Sequence, residues 1–445
     1  MRAATATKFS LSSTFTLLTM MTMMSTLLVT IGGRYTKLTG ALMACTGWPL
    51  CWPQNPLGMI ALGHRLAVGL ASVLMLWLLI TAWRNYREER VILPLTTVVV
   101  TLYFGEAMIG AVQATTGFPL HLMVLHGLTA LSLWLGLGAL ALVSGFLSPV
   151  SVAYPHVGFR QRLKDFFTLT KPVVVALLLV TTFTALVAGL HGWPSFSLAF
   201  FTLLGGALAA GGSSALNQFI DRDLDKNMQR TQKRPLAAGR MFPSEGLAFS
   251  LALCILSYYI LACFVNVTAA LLSLAGIIYY VVIYSVWLKK ATTQNIVIGG
   301  GAGAIPPMVG WAAATGRIDL VSVVLFAIVF FWTPPHFWAL AIVRRQDYAR
   351  AGVPMLPVVR GEPETRRQIW FYTLWLVAIT LLLPVFRLTG AVYFFSAIAL
   401  GLWLMVGAWR VWKKPGNKVA WTMYRWTSMY LLFIFVAFMV DAMLL

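Results

Sequence analysis

The chain has 445 residues, 59% of them hydrophobic and only 10% charged, whereas a soluble protein carries roughly 25% charged residues. Water is therefore not its main solvent, and a soluble globular fold is excluded. The net charge of +20 suggests a nucleic-acid partner, but the charges are laid out as in a membrane protein, so membrane lipid and no nucleic acid is expected.

Apolar runs of about 20 residues, each long enough to cross a bilayer as a helix, recur along the whole chain. They cover 9–32, 60–82, 93–114, 122–144, 172–192, 196–217, 245–264, 268–288, 296–315, 320–343, 368–386, 391–410 and 421–443. The expected fold is an all-α polytopic membrane protein of about thirteen spans, four in a bundle and nine in a second module. The first run exceeds the roughly 7–15-residue core of a signal peptide, and no small-residue cleavage site follows Gly33, so it is read as a membrane helix. With the N-terminus in the cytoplasm, the cytoplasmic loops gather Arg2, Lys8 and the basic residues of 84–90, 160–171, 222–240, 289–290, 344–367 and 410–418. The opposite side receives Arg34, Lys37, Arg65, Arg317 and Arg387. That asymmetry fits an inner (cytoplasmic) membrane protein with its C-terminus outside.

The front module, 1–150, repeats itself. Two helix hairpins each turn through a Thr-Gly loop, Thr39-Gly40 and Thr116-Gly117, and each returning helix carries a histidine near its outer end, His64 and His126. Two histidines at matched depth in a four-helix bundle suit the two faces of one heme iron. Glu106 lies inside the third run, where an acid is costly and usually functional; a neutral Glu that tightens packing is the alternative. Cys45 and Cys51, in the first outer loop, are expected to form a disulfide, while Cys254 and Cys263 read as packing residues. A polar stretch follows, and the linker is placed at 151–168.

The second module, 169–445, holds the most specific signal, NQFIDRDLDKNMQRTQKRPL at 217–236. Asn217, Asp221 and Asp225 recur every four residues, which keeps them on one helix face with a drift of only ~40° per step. Asp223 points the other way. Two carboxylates and an amide oxygen suit Mg²⁺ shared with a phosphate, and Arg230, Lys233 and Arg234 follow at once. Lys171, Tyr284, Lys289 and Asp347 fall at the same membrane face and would add a further metal ligand and cationic clamps on a diphosphate. His336, eleven residues before Asp347, would lie ~20° off the same face if the helix were regular, although Pro334-Pro335 argues against regularity. It suits an axial heme ligand or proton acceptor, or else caps the Pro-Pro break. GGGAGAIPP at 299–307 lacks the GK[ST] of a phosphate loop and reads as close helix packing.

Two resemblances follow. Residues 9–145 resemble one half of the heme A synthase family through LTGALMACTGWPLC, the GHR of His64 and the Gly117–His126 stretch. That family has two such halves and a glutamate three residues before the second-helix histidine, where this chain has Ala61. The resemblance thus implies heme binding more than oxidation chemistry. Residues 165–445 resemble the protoheme farnesyltransferase (heme O synthase) branch of the UbiA-type prenyltransferases. The matches are LTKP, N-x(3)-D-R-D-x-D with RTxxRPL, YSVWLKKATTQNIVIGGGAGAIPPMVGW and WTPPHFWALAIVRRQDYARAGVPMLPVV. The wider family's second DxxxD motif is absent, since Ala351 follows Asp347 by four residues. This resemblance implies farnesyl diphosphate and protoheme IX as substrates, Mg²⁺ as cofactor and heme O as product. A homodimer or a heme A synthase partner would accompany it. The rivals are a prenyltransferase for a quinone or chlorophyll precursor, a bifunctional enzyme that also oxidises heme O towards heme A, a transporter, and a front module that only carries electrons.

Overall fold

The computed structural model describes residues 14–45, 49, 52–146 and 157–445, with only the backbone of Lys290. Cys51 and the first part of the linker, with Pro155 and His156, lie outside them. Among the described residues there is no strand, and thirteen helices are long and apolar enough to cross a membrane. In chain order these spans are Thr14–Leu38, Pro56–Asn85, Ile92–Thr116, Leu120–Phe146, Pro172–Leu190, Phe196–Lys226, Pro243–Phe264, Val267–Leu288, Asn295–Thr315, Leu320–Val343, Gly361–Val385, Ala391–Lys413 and Asn417–Leu444. The all-α, multi-span expectation holds in number and order. Buried threonines do not spoil the spans, because their hydroxyls bond back to the preceding turn, as Thr19 does to the Phe15 carbonyl at 2.8 Å.

By packing, the chain divides into two compact units. The first comprises Met1–Val157 and Met241–Tyr259. In it the first four spans form a closed ring, first on second, second on third, third on fourth and fourth on first. Met75, Leu78, Ile92, Leu93, Leu137 and Leu140 fill its centre. Both Thr-Gly turns need a positive φ, 73° at Gly40 and 80° at Gly117, which glycine adopts without strain. Sequence module and packing unit differ for part of the seventh span. Tyr259 occupies a notch at Gly105, where an added Cβ would come within 2.5 Å of its ring, and its hydroxyl lies 2.8 Å from that of Thr129.

The second unit comprises Gly158–Arg240 and Ile260–Leu445. It opens on a short amphipathic helix, Phe159–Leu169, ahead of the fifth span. The ninth span packs on the fifth, eighth and tenth, and the thirteenth closes on the fifth, tenth and twelfth. Trp338, Tyr393, Tyr430 and Phe435 are the unit's largest fully buried side chains. The glycine run behaves as close packing: Gly299, Gly300 and Gly301 abut Tyr284, Thr333 and Tyr279. The tenth span stays helical through Pro334 and Pro335 but ends at Val343. Asp347 therefore sits on a separate helix, Arg345–Arg350, and the single-helix register drawn between His336 and Asp347 is corrected. The physical reason is Arg344, whose backbone (φ −108°, ψ 18°) leaves the helical region between the two.

Candidate functional site

The sixth span runs unbroken from Phe196 to Lys226, so Asn217, Asp221 and Asp225 share one helical face, and all three are buried. Asp223 faces outward and pairs with Lys226 at 2.8 Å. Unpaired carboxylates would not stay charged at such burial, and cations answer each one. Lys289 bonds Asp221, and Arg234 Nη1 reaches Asp225 Oδ2 at 2.7 Å. Lys171 Nζ donates to Asn217 Oδ1 at 3.0 Å. The Asn217 amide group in turn donates to Asp221 Oδ2 at 2.7 Å and to Ser285 Oγ at 3.1 Å.

Two local features set these positions. Residues Tyr279–Leu288 form a π-helix inside the eighth span, a departure from α geometry that often marks functional sites. Its wider turn lets Ser285 Oγ donate to the Tyr280 carbonyl five residues back, at 2.9 Å, while accepting from Asn217. Tyr284 stacks on Tyr280 with ring centroids 5.5 Å apart. Lys171, the residue before the fifth span, has φ 51° and ψ 62°, a left-handed backbone that costs a non-glycine residue about 1 kcal/mol or more. Burial pulls its ammonium down to about 7, with Arg234 and Lys289 pushing the same way and Asp225 and Asp221 opposing. A cavity of about 240 Å³ adjoins this end, lined by Thr168, Lys171, Pro172, Val173, Val174, Gln218 and Arg234.

The other sequence candidates are less tightly drawn in. Arg230 is exposed but lies within electrostatic range of the Tyr284 and Tyr348 hydroxyls. Asp347 is buried and paired with Arg350. Its segment reaches the same end, where Val353 and Met355 pack on Leu224. Among the described residues, no three His, Cys, Asp or Glu side chains converge as a metal site, so Asp347 does not complete one with Asp221 and Asp225. His336 is buried in the second unit. Trp332 and Tyr424 stack on its ring at 4.2 and 4.4 Å, and its Nδ1 lies 2.9 Å from Thr427 Oγ1. Ser285, Tyr280, Tyr348 and Gln218 were not singled out from the sequence, where each is an ordinary residue of an apolar or polar run.

In the front unit, His126 Nδ1 lies 3.0 Å from Glu106 Oε1, and His64 is within electrostatic range of His126. Glycines make room for both rings. An added Cβ would come within 3.0 Å of His64 at Gly33 and within 3.7 Å of His126 at Gly110. His64 Nδ1, Glu106 Oε2 and Gln113 Nε2 are buried without a hydrogen-bond partner, so this polar set fits a polar or metal-bearing occupant. Cys45 is disulfide-bonded, and its expected partner, Cys51, lies outside the described residues. Cys254 and Cys263 are free.

Residues 178–435 match the UbiA prenyltransferase family. A protein of Roseiflexus sp. (strain RS-1) named protoheme IX farnesyltransferase is 42% identical over 93% of this chain and 81% of its own length. One of the same name from Gloeobacter violaceus is 50% identical over 64% of this chain and 93% of its own. Among solved structures, a digeranylgeranylglyceryl phosphate synthase superposes with a TM-score of 0.56 at 16% identity, over 64% of this chain and all of that one. A UbiA homolog from Aeropyrum pernix K1 gives 0.51 at 19% identity, over 60% of this chain and 98% of that one. These two likenesses concern the fold alone. The chain belongs to the UbiA prenyltransferase family and is a multi-pass membrane prenyltransferase.

Proposed function

We propose that this enzyme transfers the farnesyl group of farnesyl diphosphate to protoheme IX, giving heme O and diphosphate, from the inner membrane with its N-terminus cytoplasmic and C-terminus outside. The observation that carries the reading is the buried Asn217/Asp221/Asp225 face answered by Lys171, Arg234 and Lys289. Such paired charges persist in a dry site when a polyanion with its cation is the intended occupant. The name of the relatives, protoheme IX farnesyltransferase, supplies the acceptor and donor.

The donor set of two carboxylates and an amide oxygen fits Mg²⁺, held by Asp221, Asp225 and Asn217, with Asp347 as a more distant carboxylate. When bound, Mg²⁺ neutralises charge on the departing diphosphate. Lys171, Lys289, Arg234 and Arg230 would bind the diphosphate oxygens as the C1–O bond breaks and the electron pair leaves with the diphosphate. Tyr284 and Tyr280 wall the site and exclude water from the allylic cation. C1 then bonds to the terminal carbon of a protoheme vinyl group. Water adds to the inner vinyl carbon and a proton is lost, giving the hydroxyethylfarnesyl substituent.

For the front module, 1–150, joined through 151–168 to the transferase module 169–445, heme binding by His64 and His126 is the reading its polar set supports. Oxidation of heme O there is a second reading, favoured by the Glu106–His126 contact. A homodimer or a heme A synthase partner is compatible with both. The test is to extract hemes from membranes that express the full chain and separate heme B, O and A by mass. Heme O should appear in step with expression. Prenylation of a quinone or chlorophyll precursor with no heme O would replace protoheme as the acceptor.

A further inference from the structure

Asp165 and Arg240 lie outside the set just assigned, yet they form a bidentate ion pair within the second unit. Asp165 sits on the Phe159–Leu169 helix with its side chain 2% exposed. Arg240 grips it as a fork, with Nε 3.1 Å from Oδ2 and Nη2 2.9 Å from Oδ1, and Gln161 Nε2 adds a bond at 3.0 Å. Both carboxylate oxygens are thus used, in a planar geometry that lysine does not reproduce.

The pair connects to the site on two sides. Arg240 Nη2 also donates to the Lys233 carbonyl at 3.2 Å, and the next residue, Arg234, holds Asp225 at 2.7 Å. On the other side, the helix that carries Asp165 ends at Leu169, whose carbonyl accepts from Gln218 Nε2 of the sixth span at 2.8 Å. Two residues later comes Lys171 on Asn217. One ion pair therefore fastens together the two segments that deliver cations to the acidic face. Without it the segment from Asn227 to Arg240, which forms turns and no long helix, would have to be ordered by the substrate itself. Ordering backbone costs conformational entropy, and that cost is taken from binding.

We propose that Asp165 and Arg240 are positioning residues that pre-set Arg234 and Lys171 for the prenyl diphosphate without touching it. The proposal rests on the diphosphate reading above. The full chain, in detergent–lipid micelles, is compared with Asp165→Asn and Arg240→Lys. The KM for farnesyl diphosphate should rise about tenfold or more, while kcat and the KM for protoheme stay within about threefold, the pattern of lost ground-state binding. Independently of turnover, trypsin should cut within residues 230–240 faster in both variants. Inorganic diphosphate with magnesium should protect them only at about tenfold higher concentration than wild type. If Asp165→Asn fails to fold, Arg240→Lys, which keeps the charge and loses the fork, carries the test. Unchanged KM and unchanged diphosphate protection in a folded variant overturn the proposal, as does a fall in kcat alone. If the wild-type chain uses no farnesyl diphosphate, the donor reading fails, and the protection experiment still decides the role of the pair.

Discussion

At the scale of single residues, the candidate site is a problem in buried charge. Asp221 and Asp225 are each about 2% exposed, and each has one cation as its ion-pair partner. Removing one member of such a pair strands the other at a cost of about 3–5 kcal/mol. The test variants are therefore Asp221→Ala and Asp225→Ala together with Asp221→Asn and Asp225→Asn, which keep shape. All four should abolish heme O formation, a loss of roughly a thousandfold or more, while the protein still inserts and any heme spectrum of the front unit is unchanged from wild type. Near-normal heme O from any of them in excess magnesium would remove the metal-site assignment. The face itself was legible in the sequence, because a four-residue spacing has one meaning on a helix. The roles of Ser285 and Asp165 were not. Ser285 meets Asn217 through a π-helical turn that shifts the register away from the 3.6-residue period, and Asp165 meets Arg240 across 75 residues of chain.

At the scale of elements, the glycines of the ninth span show what the spans require. Gly310 faces the fifth span so closely that an added Cβ would lie 2.0 Å from the Thr182 carbonyl oxygen, whereas Gly303 has nothing within 4 Å. The obstacle at Gly310 is backbone, so no side chain can turn aside to relieve it. Gly310→Ala should push the fifth span outward and cost about 3 kcal/mol or more. Gly303→Ala should be neutral or stabilising by up to about 1 kcal/mol, through helix propensity. Thermal unfolding in detergent checks both, and equal midpoints for the two variants would contradict the close packing. The sequence located all thirteen spans in order, because twenty apolar residues have few alternatives. It stopped the sixth nine residues short of Lys226 and began the eleventh seven residues after Gly361, where charged residues continue each helix beyond its apolar run. It also carried the helix of the tenth span on to Asp347, which stands on a separate helix, Arg345–Arg350. The break at Arg344 falls between polar residues that continue a helix as readily as they end one, and Pro334-Pro335 drew attention to a break the backbone does not make. Inside a packed bundle, neighbouring helices hold such a pair in line.

At the scale of the whole molecule, the question is how much chemistry the front unit adds. His64 and His126 would together hold one heme, with Glu106 the acid beside them. Ala61, 4% exposed on the second span, stands where the heme A synthase family, which the front residues resemble, carries a carboxylate, and the four-helix ring offers one such site rather than two. The full chain should therefore make heme O and little or no heme A when it is the only heme-modifying protein in the membrane. Two arrangements would defeat that expectation. A homodimer would supply eight front helices, and Glu106, already 3.0 Å from His126, would supply the missing acid. The decisive measurement expresses wild type and Glu106→Gln in membranes that lack other heme-modifying enzymes and resolves the extracted hemes by mass. Heme O without heme A in both confines the front unit to holding heme near the transferase, where tethering raises its effective concentration. Substantial heme A from wild type that disappears in Glu106→Gln would make the chain bifunctional, with Glu106 in place of the carboxylate that Ala61 does not provide.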